Sequence, residues 1–244
     1  MDIRIVGLEG LSEIRPGDDL ASLILDAAAR ARETIAQKTV VVVAQKIVSK
    51  AEGAIVDLHE IKPSDFALEW AKRWSKDARL IELILRQSRR IVRMDRGILI
   101  AETHHGLVAA NAGVDQSNVP GEDSATVLPS DPDASARALR TRLGCGGALI
   151  TDSFGRPWRE GLVNVAIGVA GMEALEDLRG ALDRNGRVLT ATIVALADEL
   201  TAAAGLVMKK AAGVPVALIQ GFEWQAAEGA SAPLIRRPDL DLFR

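Results

Sequence analysis

The chain has 244 residues, of which 48% are hydrophobic and only 3% aromatic, with no Tyr. Such a chain can bury a sizeable aliphatic core, while so few rings argue against a base-stacking platform for single-stranded nucleic acid. The formal net charge of −3 provides no global field that would attract DNA or an anionic membrane, so we expect no nucleic-acid partner and no membrane partner.

The single cysteine, Cys145, excludes an internal disulfide and any cysteine-rich zinc site. It lies between two glycines, and we interpret it as a small loop or core residue. One unpaired cysteine agrees with a reducing compartment. The N-terminal residues do not resemble a signal peptide, and no apolar run approaches the roughly 20 residues of a spanning helix. We therefore expect a soluble, cytoplasmic protein.

The first quarter of the chain predicts two strands and a helix. Residues 3–8 form an alternating strand pattern, and Asp18 or Asp19 is suited to cap a helix that ends near Arg32. Residues 39–44 include four valines and predict a buried strand, since β-branched residues favour strands. The polar residues that follow are most simply interpreted as a solvated loop.

A helical pair and a hairpin follow. Pro63 is suited to the first turn of a helix that carries Trp70 and Trp74 on one face, and a second helix spans about 77–87. Two short strands, 91–94 and 98–102, flank a turn at Asp95-Arg96-Gly97.

The second half alternates strands, loops and helices. A strand at 107–110 precedes a long polar loop, 116–132, of a length that is often functional. Asp133 is expected to cap a helix to about Arg142, and a buried strand ends near Thr151.

The remaining predictions are an apolar, glycine-rich stretch at 161–171, a tight turn at Asn185-Gly186, a strand that becomes a helix within 188–208, and a last strand at 214–220. No internal repeat or linker divides the chain, so residues 1–244 are treated as one catalytic unit.

Two acidic segments follow apolar strands. One contains Asp115 and the other contains Asp152 and Ser153. Hard cations such as Mg²⁺ take oxygen ligands, usually one or two carboxylates together with phosphate oxygens. Turn formation explains either segment alone equally well, because Asp, Asn, Ser and Gly are the usual turn residues.

Two lysine-containing segments suggest phosphate binding. Lys46 and Lys50 follow the valine strand directly, and Lys209-Lys210 precede a Gly213 and Pro215 pair. A lysine ammonium is a compact charge that suits a phosphate. A solvated loop and an ordinary helix C-terminus explain the same residues structurally. Neither a Walker-A loop nor a G-x-G-x-x-G fingerprint is present.

The histidines carry a weaker signal. His104 and His105 are adjacent, so on a strand they would face opposite sides and make a poor pair of ligands for one metal. We expect a surface or hairpin role for them, with a catalytic role as the minor alternative.

Taken together, these segments resemble the coenzyme F420:γ-glutamyl ligase family, which adds γ-linked glutamate to a deazaflavin coenzyme precursor. The segments that carry the resemblance are 9–11 (EGL), 15–19 (RPGDD), 46–53 (KIVSKAEG), 111–118 (NAGVDQSN), 128–135 (LPSDPDAS), 150–156 (ITDSFGR) and 197–199 (ADE). Their order matches the family pattern over almost the whole chain, without the second domain that some bacterial members append.

The resemblance implies a GTP-dependent acid–amine ligase with Mg²⁺ or Mn²⁺, and K⁺ as a further candidate ion. It implies a mixed α/β fold of two closely packed lobes in an intertwined homodimer. Asp115, Asp152 and Lys50 would be catalytic, and Asp115, Asp152 and Ser153 would hold the metal. The implied nucleotide-binding residues are Leu11, Ser12, Glu13, Ile14, Gln45, Lys46, Lys50, Asn118, Met208, Lys209, Lys210, Ala211, Ala212, Gly213 and Val214.

One position departs from the family pattern. Some members carry an acidic metal ligand where Lys210 aligns, and an ammonium has no lone pair for a metal. Either a second metal is held differently, or Lys210 places its charge on the phosphates, which we favour. Two other functions stay open: a ligase for a different acid, and a non-catalytic nucleotide-binding relative. Glu13, His104 and Asp198 are unranked candidates for the base that deprotonates the amine.

Overall fold

The computed structural model of the protein describes residues 2–119, 121, 123–210 and 212–242, which form a mixed α/β fold as predicted. In chain order the elements are β1 (Arg4–Leu8), α1 (Leu20–Arg30), β2 (Thr39–Ala44), α2 (Gln45–Ala51), β3 (Ile55–Asp57), α3 (Asp65–Trp74), α4 (Ala78–Arg86), β4 (Ser88–Asp95), β5 (Ile98–Thr103), β6 (Val108–Ala110), β7 (Ser124–Thr126), α5 (Pro132–Leu143), β8 (Gly147–Arg156), β9 (Arg159–Ala170), β10 (Glu176–Asp177), β11 (Ile193–Val194), α6 (Leu196–Met208) and β12 (Val216–Gln220). No helix among the described residues is long and apolar enough to cross a membrane.

A five-stranded sheet in the order β1-β12-β2-β8-β9 lies at the centre. Only β2 and β8 pair in parallel, and the other neighbours are antiparallel. Val40 to Val43 are fully buried because helices cover both faces of the sheet. Helices α1, α2 and α5 pack on one face and α6 on the other. The valine strand therefore has the bounds and the burial that its β-branched residues predict.

A separate three-stranded sheet, β4-β5-β6, packs with α3 and α4 around its own apolar cluster. The β4–β5 hairpin turns at Arg96 and Gly97, which have φ of 50° and 76°, so the predicted hairpin is confirmed. Strands β3 and β7 pair with each other, and Asp115 bridges Thr126 beside them. That bridge fixes the position of Asp115 relative to β7.

Two predicted helix starts are displaced. Helix α3 begins at Asp65 rather than at Pro63, because the Ser64 hydroxyl accepts a hydrogen bond from the Ala67 backbone N–H. Helix α5 is capped by Asp131 rather than Asp133, with Asp131 Oδ1 accepting from Ala134 N at 2.9 Å. Asp133 instead accepts a hydrogen bond from Val169 N at 2.8 Å and ties the helix to β9.

Two loop predictions are wrong in part. Residues 45–51 form helix α2, because Ile47 and Val48 pack into the core while Lys46 and Lys50 lie on the side that lines the cleft described below. The long segment 116–132 contains strand β7, whose partner β3 lies far away in sequence. Each error concerns a segment whose structure depends on a distant partner.

Candidate active site

A cleft of about 940 Å³ opens where β2 ends. Ala44 is the last residue of β2 and pairs with Thr151, while β8 continues beyond it to Arg156 as a hairpin with β9. Strand β12 begins beside the end of β2, and α6 reaches the same point from the other face. Because β2 ends here while its neighbour β8 continues, a space remains beside β8. This space is the cleft, and several separate segments of the chain line it.

The structure brings nearly all the predicted site residues to this cleft. Those that line it are Leu11, Ser12, Glu13, Ile14, Gln45, Lys46, Lys50, Asp115, Asn118, Asp152, Ser153, Met208, Lys209, Lys210, Gly213 and Val214. Ala212 is outside the lining, and Ala211 lies outside the described residues. The chemical role of each of these residues stays a prediction.

Asp115 is held by three hydrogen bonds. It accepts from Lys46 Nζ at 2.7 Å, from the Ser117 backbone N–H at 2.7 Å and from the Ser117 hydroxyl at 3.0 Å. Burial acts to raise the pKa of Asp115, but the contacts with Lys46 and Ser117 together outweigh it and leave the pKa below its ordinary value. Asp115 is thus a fixed anion at one wall of the cleft.

Asp152 has the opposite electrostatic environment. It was expected at a strand end but lies within β8, which continues because β9 pairs with it. Burial raises the pKa of Asp152, and the hydrogen bond from Ser153 N at 2.7 Å and the charge of Lys210 offset this only in part. The negative charge of Asp115 also raises the pKa of Asp152, so the two carboxylates are close enough to interact electrostatically.

The lysine that follows the strand is buried rather than solvated. Lys50 is 3% exposed, and its ammonium pairs with the Glu13 carboxylate. One turn earlier, Gln45 accepts a hydrogen bond from the Ser49 hydroxyl at 2.9 Å. Helix α2 thus holds Lys46 and Lys50 four residues apart, on one side of the helix and at the cleft wall.

The Lys209-Lys210 segment leaves α6 at the opposite wall. Lys209 is the residue that ends the helix, with φ of 40°, so its backbone turns sharply out of helical geometry. Both lysines line the cleft. Four lysines therefore line the same cleft as the two aspartates, and positive charge in a cleft favours the binding of a polyphosphate.

The oxygen donors fit a hard divalent cation. Asp115, Asp152 and Ser153 line the cleft together, and Mg²⁺ or Mn²⁺ commonly takes one or two carboxylates and completes its shell with water and phosphate oxygens. Within the described residues, no three His, Cys, Asp or Glu side chains are grouped closely enough to hold a metal by themselves. Any such ion would therefore need further oxygen atoms from water or from a bound substrate.

Asn164 was missed by the sequence reasoning. It lines the cleft from β9, opposite Ser153, and its side-chain oxygen accepts a hydrogen bond from the Ser153 hydroxyl at 3.0 Å. The only signal was a polar residue within the apolar stretch 161–171. Other lining residues that were not predicted are Ala44, Ile47, Ser117, Thr151, Leu162, Gly205 and Pro215.

The three candidate bases are separated by the structure. Glu13 lines the cleft, whereas His104 and Asp198 lie outside its lining. His104 is exposed in the turn after β5, with Nε2 3.0 Å from the Arg86 carbonyl. Asp198 accepts a hydrogen bond from Ala166 N at 2.8 Å. The surface interpretation of His104 agrees with this geometry.

Comparison with known proteins places these observations in one family. Residues 10–221 match the model of the family described as F420-0:Gamma-glutamyl ligase. A protein of Methanothermobacter thermautotrophicus named coenzyme F420:L-glutamate ligase is 46% identical over 252 residues, covering 100% of both chains. Proteins with the same name from Methanopyrus kandleri and Methanocaldococcus jannaschii are 47% and 39% identical, covering 95% and 99% of this chain and 94% and 97% of their own. The chain therefore belongs to the F420-0:gamma-glutamyl ligase family.

Proposed function

We propose that the protein is a GTP-dependent ligase that joins L-glutamate through a γ-linked amide to a deazaflavin acid, the coenzyme F420 precursor. The observation that supports this most directly is the convergence of Asp115 and Asp152 with four lysines on a single cleft. Family membership supports the substrate class, since its named relatives are coenzyme F420:L-glutamate ligases.

The chemistry requires activation of the acid. A carboxylate oxygen of the deazaflavin acid would attack the γ-phosphorus of GTP, so that a P–O bond forms and GDP leaves. The glutamate amine, once it has lost a proton, would then attack the acyl carbon and release inorganic phosphate. Both steps gather charge on phosphate oxygens, which fixed cations stabilise. No protein nucleophile is needed.

The chain's own residues would position the reactants. Lys46 and Lys50 from α2, with Lys209 and Lys210 from the opposite wall, would neutralise the phosphates. Asp115, Asp152 and Ser153 would hold Mg²⁺ or Mn²⁺, with K⁺ as a further candidate, and the bound ion would supply Lewis-acid stabilisation of the phosphate charge. The nucleotide would lie among residues 11–14, Gln45, Asn118 and 208–214.

Lys210 would act on the phosphates in place of a metal ligand. Its charge faces Asp152, whose pKa it lowers against the effects of burial and of Asp115. Replacing Lys210 with Glu should weaken GTP binding, because a phosphate-facing cation becomes an anion. Unchanged GTP affinity in that variant would contradict a phosphate contact.

The deciding experiment is ligation with the purified protein. Incubation with GTP, Mn²⁺, glutamate and the deazaflavin precursor should yield a product heavier by glutamyl units, together with GDP and phosphate. Asp115→Asn and Asp152→Asn should abolish turnover, whereas Asp26→Asn, a change at an exposed position on α1, should not. Absence of a heavier product from the wild-type protein would refute the proposal.

Two controls separate the alternatives. A panel of other carboxylic acids, scored by phosphate release, identifies a ligase of different specificity. A protein that binds GTP but releases no phosphate with any acid would be a non-catalytic relative.

Replacing GTP with ATP tests the choice of nucleotide. Sedimentation tests the homodimer that we infer from the family resemblance.

A further inference from the structure

A second, smaller cavity adjoins the proposed active site. It has a volume of about 430 Å³ and is lined by Ser12, Glu13, Arg15, Asp18, Asp19, Ser22 and Leu23. Ser12 and Glu13 also line the cleft, so the two cavities share a wall. A volume of this size is typical of a site for a small molecule, and a molecule bound there would lie next to the contents of the cleft.

The smaller cavity differs from the cleft in its charges. Its lining contains one cation, Arg15, and no lysine. The Arg15 backbone N–H donates to Asp18 Oδ2 at 2.7 Å, whereas in the described part of the chain the exposed guanidinium forms no ion pair. A guanidinium presents a planar set of donors that matches a carboxylate, so Arg15 is available to a ligand that carries one.

The carboxylate of Asp19 is already used by the fold. It caps α1 by accepting hydrogen bonds from the Ser22 backbone N–H at 3.1 Å and from the Ser22 hydroxyl at 2.8 Å, and it pairs with Arg142. The backbone bond from Ser22, with the Ser22 hydroxyl and Arg142, lowers the pKa of Asp19 to about 2. The N-terminus of α1 is therefore occupied by the chain itself and provides no anion site.

The carboxylate of Glu13 is available at the shared wall. Its side chain is 57% exposed and accepts a hydrogen bond from the Lys50 ammonium on the cleft side. A carboxylate has about four lone-pair positions, so Glu13 can also accept from an ammonium group of a ligand. Leu23, which packs against the core, gives the same cavity an apolar surface.

We propose that the smaller cavity binds the acceptor amino acid, L-glutamate, with Arg15 contacting one of its carboxylates and Glu13 its ammonium group. This inference rests on the proposed function and assigns one of its substrates to a site. The amino group would lie at the wall shared with the cleft, beside the activated acid, and the methylene groups would face Leu23. Charges of both signs suit an amino acid, whereas the acidic groups would repel a polyphosphate.

Arg15→Met tests the proposal with little risk to folding, because the side chain is exposed and the backbone N–H still donates to Asp18. Loss of a charge-assisted contact should raise the KM for glutamate at least about fivefold. The Kd for GTP and the melting temperature should not change. Arg15→Lys keeps the charge without the planar donors and should restore part of the affinity. Arg184→Met, at an exposed arginine outside both linings, is the matched control.

Two analogues of the amino acid test the contact itself. Glutamine and isoglutamine each lack one of the two carboxylates of glutamate. The analogue without the carboxylate that Arg15 contacts should bind equally to wild type and to Arg15→Met, whereas the other analogue should bind the variant more weakly. Equal losses for both analogues would overturn the contact, because Arg15 would then act on the shape of the cavity.

A direct titration distinguishes failure of this inference from failure of the proposed function. Saturation-transfer NMR with L-glutamate, measured without the deazaflavin acid, should show binding to wild type and weaker binding to Arg15→Met, whether or not ligation occurs. Equal affinity, or no binding to either protein, overturns the inference even if the wild type is an active ligase. Weaker GTP binding with unchanged glutamate affinity also overturns it, because the cavity would then belong to the nucleotide site.

Discussion

The ion pair between Lys50 and Glu13 should respond very differently to removal of its two partners. The Lys50 side chain is 4% exposed, whereas that of Glu13 is 57% exposed. Lys50→Met leaves a carboxylate that water can solvate, and Met preserves much of the apolar stem. Glu13→Ala leaves a buried ammonium without its partner. The second change should therefore be the more costly for stability.

The expected magnitudes follow from this difference in exposure. An unpaired buried donor costs about 1–3 kcal/mol, and the larger cost of breaking a fully buried pair does not apply because Glu13 is mostly in solvent. Lys50→Met should change the free energy of unfolding by less than about 1 kcal/mol. If Lys50 contacts a phosphate, its loss removes about 1.5–3 kcal/mol of binding free energy, which raises the Kd for GTP about 10- to 150-fold.

Urea unfolding followed by circular dichroism gives the stabilities, and calorimetric titration gives the GTP affinities. Lys38→Met, at an exposed lysine outside the cleft lining, controls for loss of one positive charge. The reasoning is refuted if Lys50→Met destabilises the protein more than Glu13→Ala does. Retention of full GTP affinity by Lys50→Met would refute the phosphate contact alone.

Three further expectations concern residues around the central sheet. Burial raises the pKa of the Asp198 carboxyl, and the hydrogen bond from Ala166 N offsets this only in part. The contribution of this carboxyl to the free energy of unfolding is therefore complete below its unfolded pKa and is lost as the pH rises through its folded pKa. Asp198→Asn keeps an acceptor oxygen and should therefore gain stability relative to wild type as the pH rises from about 4 to 7, and parallel melting curves across that range would contradict this. Burial also raises the pKa of the Cys145 thiol to about 11. A thiol reagent at neutral pH should therefore modify Cys145 only after unfolding, and rapid labelling of the native protein would contradict this. Asn164→Ala removes the acceptor for the Ser153 hydroxyl and should weaken Mn²⁺ binding, measured by electron paramagnetic resonance, at least about 10-fold. Asn164→Asp keeps that acceptor and should bind Mn²⁺ nearly normally. Equal Mn²⁺ affinity in the Ala variant and the wild type would show that Asn164 does not orient Ser153.

The elements that the sequence predicted well are those whose signals are local. Strand β2 has the predicted bounds, since consecutive β-branched residues favour one conformation and suit complete burial. Helix α1 is capped by Asp19, one of the two predicted residues, through its hydrogen bond from Ser22 N. The β4–β5 hairpin turns at Arg96-Gly97, within the predicted turn Asp95-Arg96-Gly97. In each case the deciding interaction lies within a few residues.

Residues 45–51 show why other predictions failed. The run contains two lysines and a serine, so local composition favours a solvated loop. The apolar pair Ile47 and Val48 makes it a helix because a core formed by α1, α5 and the sheet covers that side. Lys50 is buried for the same reason, and its partner Glu13 lies 37 residues earlier. Periodicity within seven residues cannot indicate contacts of this range.

The site itself depends on strand register, which no local pattern specifies. The parallel pairing of Ala44 with Thr151 sets the end of β2 one residue before Asp152, so the start of α2 and the carboxylate meet at one level of the sheet. Successive side chains on a strand face opposite ways, so a slip of one residue would exchange the faces that Asp152 and Ser153 occupy and would move Ile150 out of the core that it shares with α5. Ile150 is fully buried in the core with α5 and Val43, so such a slip would be opposed by hydrophobic burial. The same aliphatic packing that stabilises the sheet therefore holds the two aspartates at a common cleft.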